Sequence, residues 1–102
     1  MSSSAGGPHY QIIFSSDLPK VLRRLLQKAD REEREEAFLN AFLQAVKNLQ
    51  ERPFDFGEPL YRLPVLRMQV RQAVIRPLGF NFAVHEEMPF VYLKGVKMLA
   101  KY

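Results

Sequence analysis

Arg67 and Arg71 stand four residues apart in the run Leu66–Arg76, which reads as a β-strand. Side chains alternate along a strand, so both guanidinium groups fall on one face, about 13 Å apart. That span is similar to the distance between two phosphates along a nucleic-acid strand, and the arginine fork suits a phosphate oxygen pair. Lys94 and Lys97 lie on a later strand, three residues apart and so on opposite faces of an ideal ribbon; Gly95 between them hints at a bulge that would rotate one of them. The plainer reading is solvated arginines flanking Gln69 on an open sheet face. His85 precedes Glu86 and Glu87 and could act as a base near neutral pH, or simply serve a turn. Tyr61 and Tyr92 could stack bases, with core or edge packing as the ordinary fate of each. There is no cysteine, and the two histidines lack spaced partners, so no metal site and no cofactor are expected. No glycine-rich phosphate loop, nucleophile elbow or paired-carboxylate spacing is present.

The elements that must carry these residues follow from periodicity. In Leu66–Arg76, Leu66, Met68, Val70 and Val74 share one side, and Arg67, Gln69 and Arg71 the other. Leu78–Val84 sets Leu78, Phe80, Phe82 and Val84 against Gly79, Asn81 and Ala83, and Phe90–Leu99 is apolar on both sides up to Lys94. Upstream, His9–Phe14 reads as a short strand. Leu18, Val21, Leu22, Leu25 and Leu26 then mark one face of a helix of about three turns with Pro19 in its first turn. Asp30 and Glu33 have capping-box spacing and are expected to open a second helix, with Phe38, Phe42, Ala45, Val46 and Leu49 as its apolar face, Leu39 and Leu43 widening it, and Pro53 ending it. Phe54–Pro59 reads as the connector into the sheet. The fold class is therefore α+β, in the order β-α-α-β-β-β, with the helical hairpin packed on one face of an antiparallel meander sheet.

At 102 residues the chain fits one domain, spanning 9–102, with Met1–Pro8 as a disordered lead rich in Ser and Gly. The lead lacks the basic-then-apolar order of a signal peptide, and no apolar run is long enough to span a membrane; a cytoplasmic protein is the default expectation. The net charge of +4 is unevenly placed. Residues 57–102 carry seven cations (Arg62, Arg67, Arg71, Arg76, Lys94, Lys97, Lys101) against Glu58, Glu86 and Glu87, while the rest of the chain balances. Such asymmetry favours an anionic partner, either nucleic acid or an acidic protein segment.

This order of elements resembles the RelE/ParE toxin superfamily of bacterial toxin–antitoxin systems. The resemblance covers about residues 9–100. It rests on the short opening strand ending in Phe14-Ser15, the charged helical hairpin, the connector from Pro53 to Leu60 with Gly57 and Pro59, and a basic strand feeding a meander. It implies an antitoxin protein as partner and one of two activities, metal-independent cleavage of messenger RNA on the ribosome or inhibition of DNA gyrase. For the RNA-cleaving branch it implies Arg67, Arg71, Lys97 and Tyr102 as catalytic residues, with Arg62, Arg76 and Lys94 as flanking nucleic-acid contacts. The chemistry would be attack of a 2′-hydroxyl on the adjacent phosphate, with cations stabilising the charge that develops. One departure stands out: Gly79-Phe80-Asn81-Phe82 occupies the stretch where the family often carries an arginine, so Asn81 or Gly79 stands in its place. The alternative is a non-catalytic module of the same fold that holds an acidic peptide or protein, or a second copy of itself.

Overall fold

The computed structural model describes residues 9–100. The expected lead, Met1–Pro8, and Tyr102 lie outside the described residues. The first strand, β1, is Gln11–Phe14, and it leads directly into helix α1, Leu18–Arg31. The carbonyls of Ser15 and Asp17 accept the N–H groups of Leu18 and Val21 at 3.1 and 3.2 Å, and Pro19 sits in the first turn, where its missing N–H costs nothing.

α1 runs past Asp30, so the expected Asp30–Glu33 capping box does not form. Instead Arg34 N–H reaches the Ala29 carbonyl at 2.7 Å and Glu33 N–H the Asp30 carbonyl at 3.1 Å, with Glu33 in the left-handed region at φ 57°. This closes α1 in the Schellman manner, with a glutamate where glycine is usual. Helix α2 then spans Glu35–Glu51, with Glu35 and Glu36 at the positive end of its dipole. Its buried residues are Phe38, Ala41, Ala45 and Leu49; Leu39 and Leu43 are exposed, so the apolar stripe is narrower than expected.

The connector holds more structure than the sequence pattern implied. A single 3₁₀ turn, Pro53–Asp55, is followed by a strand, β2, at Glu58–Leu63. Pro59 is tolerated there because β2 is an edge strand, and the pairing with the next strand slips at Leu60, between Pro59 and Tyr61. Strand β3 is Met68–Ile75, β4 is Leu78–His85 and β5 is Phe90–Met98. Among the described residues the sheet has the order β1-β5-β4-β3-β2, with β1 parallel to β5 and the other pairs antiparallel. The β3–β4 hairpin turns at Arg76-Pro77, joined by a cis peptide bond.

Both helices lie on one side of this sheet. Leu78, Phe80, Phe82 and Val84 of β4, with Val91, Leu93 and Val96 of β5, are buried beneath Leu18, Phe38, Ala45 and Leu49. Phe56 stacks on Phe82, with ring centres 5.6 Å apart and planes 19° apart, which fastens the connector to the core. Burying an aromatic of this size contributes roughly 1.5–3 kcal/mol.

Candidate functional site

The register fixes which side chains share the sheet face that the helices leave bare. Phe80 pairs with Ala73 and Phe82 with Arg71, so Arg71, Ala73 and Ile75 lie on the helix side with β4's apolar residues. The other face carries Met68, Val70, Gln72 and Val74 from β3 and Gly79, Asn81, Ala83 and His85 from β4. The expectation that Arg67 and Arg71 stand together on the bare face is therefore corrected by the structure. Arg71 is buried at 6% exposure. Its Nε donates to the Phe56 carbonyl at 3.2 Å, one terminal nitrogen to the Gly57 carbonyl at 3.0 Å, and the other to Gln69 Oε1. It holds the connector against β3.

Arg67 is not in a strand. It ends a turn in which its N–H donates to the Pro64 carbonyl at 3.1 Å, and its φ of 56° takes it out of the ladder. Its guanidinium meets Glu87 at 2.6 Å. Arg62, on β2, makes a two-bond fork with Glu86, with the second bond at 2.7 Å. The hydrogen bond from Arg62 and then its charge hold the Glu86 carboxyl below the usual range against a partly opposing desolvation, and the same contact raises the Arg62 pKa. The acidic pair in the β4–β5 turn thus takes up two of the arginines expected to meet nucleic acid.

His85 is likewise engaged. Its Nδ1 accepts the N–H groups of Glu87 and Met88 at 3.1 and 2.9 Å, and its ring lies 4.9 Å from Phe90. With Nδ1 filled by two donors, the imidazole caps the turn. Arg76, Lys94 and Lys97 are exposed, and among the described residues none has an ion-pair partner. Lys94 is the extra residue of a bulge, since Phe82 pairs with Leu93 and Asn81 with Gly95; the bulge signalled by Gly95 is present. Tyr61 and Tyr92 are exposed. Among the described residues no group of three His, Asp or Glu is placed to hold a metal ion, and no helix is long and apolar enough to cross a membrane.

What the structure brings together on the bare face is a different set. Gln72 pairs with Asn81 and Asn81 with Gly95, which makes one row across β3, β4 and β5. Val74 pairs with Gly79 and Gly79 with Lys97, which makes the adjacent row. With two glycines among the six, the rows enclose a concavity of about 350 Å³, rimmed by Leu99. Lys97 lies over Gly79, its Cε 3.4 Å from where a Cβ would stand, whereas a Cβ on Gly95 would meet nothing within 4 Å. Asn81 Oδ1 is shielded from water and, among the described residues, has no donor. A buried acceptor without a donor costs about 1–3 kcal/mol, so it stands out in a native fold. The sequence signal was there: Asn81 interrupts an otherwise apolar run.

No family model matches the sequence, and no curated protein is significantly similar to it. Among solved structures, a chain of the chromosomal ParDE TA system from P. aeruginosa superposes with a TM-score of 0.61 over 90% of this chain and 98% of that one, at 12% sequence identity. At that identity the likeness is one of fold alone.

Proposed function

We propose that the protein is the toxin-fold member of a two-protein module, acting by holding an antitoxin-type protein partner rather than by cleaving RNA. The observation that carries this reading is the engagement of the arginines: Arg62 with Glu86, Arg67 with Glu87, and Arg71 with the Phe56 and Gly57 carbonyls. Cleavage by an adjacent 2′-hydroxyl needs a proton acceptor and cations converging on one phosphate. On the bare face His85 faces its own turn, and Asn81 cannot accept the proton. Glu58 pairs with Gln72, so three strand intervals separate it from Lys97, about 14 Å between backbones. The ParDE likeness of fold supports a partner of antitoxin type. The test is mapping of messenger-RNA ends in cells expressing the protein: no new ends are expected, and ends that disappear with Lys97→Ala would overturn the reading. Inhibition of DNA gyrase, the other activity that the resemblance implies, is checked directly by a supercoiling assay with purified gyrase.

A further inference from the structure

We propose that the concavity on the bare sheet face captures the C-terminal carboxylate of the partner polypeptide. The inference rests on the reading that the partner is a protein. Four observations at one place converge on it. Gly95 needs to be glycine neither for a left-handed backbone nor for a close neighbour, since among the described residues a Cβ there meets nothing within 4 Å, so it leaves open space on the sheet. Directly across the ladder, the Asn81 amide has, among the described residues, an acceptor with no donor and no side-chain hydrogen bond, so it can turn about its terminal torsion to present either end. Gln72, exposed in the same row, offers a second amide with no side-chain hydrogen bond among the described residues. Lys97, in the next row, is a cation with no ion pair among the described residues.

A chain end matches this set group for group. Its carboxylate meets the Lys97 ammonium, the N–H of its last peptide bond donates to Asn81 Oδ1, and the preceding carbonyl accepts from Gln72. An apolar last side chain rests on Val74 and Leu99. The volume, about 350 Å³, holds two to three residues and is typical of a small-ligand site. The absent side chain of Gly95 lets the peptide backbone approach the sheet there. Electrostatics fix its direction, because Glu58 lies beyond Gln72 at the far end of the row from the Lys97 side and repels a carboxylate placed there.

The experiment is a titration of the 15N-labelled protein with acetyl-Ala-Gly-Leu, its C-terminally amidated form and N-acetyl-leucine, read from the amide shifts of Gly79, Asn81 and Gly95. The free-acid tripeptide is expected to bind about fivefold or more tightly than the amide, as expected for losing a charge-assisted contact at a half-open site. Lys97→Gln should remove that difference. Gly95→Val places its Cβ in open space, so the variant should fold and lose binding. A free acid that binds no better than the amide, or a folded Gly95→Val that binds like the parent, overturns the proposal, as does the absence of shifts at millimolar peptide. N-acetyl-leucine binding as tightly as the tripeptide would also overturn it, by pointing to a free small acid as the occupant. A failed titration leaves the partner reading intact, since that reading is decided by the RNA-end mapping.

Discussion

Replacing Arg71 by methionine separates a structural arginine from a surface one. Methionine keeps most of the aliphatic stem within the helix-side layer beside Phe82, and removes only the guanidinium. Two main-chain carbonyls then lose their charged donor, that of Phe56 at 3.2 Å and that of Gly57 at 3.0 Å, together with the Gln69 contact. A hydrogen bond to a charged group is worth about 1.5–3 kcal/mol net. The 3.2 Å bond falls at the weak end of that range, and Gly57 is itself exposed, so water recovers part of its loss. The expected destabilisation is about 2–4 kcal/mol. With a urea m-value of roughly 1–2 kcal/mol/M for a domain of this size, the unfolding midpoint should fall by about 1–4 M. Arg67→Ala is the matched control: that side chain is 60% exposed and makes a surface ion pair with Glu87, so its loss should change stability by less than about 1 kcal/mol. The assay is urea unfolding followed by far-UV circular dichroism. If Arg71→Met unfolds within about 0.5 kcal/mol of the parent, or if the two variants behave alike, Arg71 does not pin the connector and the assignment of sheet faces is wrong.

Gly57→Ala should be among the most damaging single changes, because Gly57 has φ 73° and an added Cβ would stand 2.0 Å from the Gln72 carbonyl oxygen; a loss of about 3 kcal/mol or more is expected in the same unfolding assay. The Arg62–Glu86 pair predicts a pH dependence of known sign: the Glu86 carboxyl is held below its ordinary value of 4.5, so its contribution is present above that value and is lost as pH falls through the lower, folded-state one. Glu86→Gln should therefore differ from the parent at pH 7, and the difference should shrink as the pH is taken progressively below 4.5, read from urea midpoints across that range. His85→Phe keeps the ring against Phe90 but leaves the Glu87 and Met88 N–H groups without their acceptor, and should cost about 1–2 kcal/mol with faster amide exchange confined to residues 86–88.

Much of the fold was legible because periodicity reports burial. The apolar alternation of Leu78–Val84 and the i, i+3, i+4 spacing of α1 both describe real core faces. The α1–α2 junction was misplaced because an Asp-x-x-Glu spacing fits both a helix start and ordinary helix interior, and only the left-handed Glu33 decides between them. The strand β2 was hidden by Pro59, which looks like a breaker until the strand is known to be an edge. Leu39 and Leu43 mislead in the other direction, since apolar residues on a helix flank need not be covered.

The expectation that Arg67 and Arg71 share the bare face fails for a reason that the register makes plain. Arg71, Ala73 and Ile75 have the same parity on β3, and the last two are apolar; a strand cannot turn Ala73 and Ile75 inward while turning Arg71 out to solvent. Read from Ala73 and Ile75 instead of from Arg67 and Gln69, the same stretch predicts a buried arginine, and a buried arginine needs acceptors, which the Phe56 and Gly57 carbonyls supply. The positive surplus of residues 57–102 survives this correction but moves. Glu86 and Glu87 cancel Arg62 and Arg67, Arg71 is enclosed, and among the described residues of this stretch the cations left exposed are Arg76, Lys94 and Lys97, from the β3–β4 turn and β5. Of these, Lys97 stands in the row next to the open Gly95 and to an amide unpaired among the described residues, so the concavity sets one described cation among hydrogen-bonding groups. Such a surface selects a single carboxylate with a peptide N–H next to it far better than it tracks a line of phosphates, which would need cations repeated along the face.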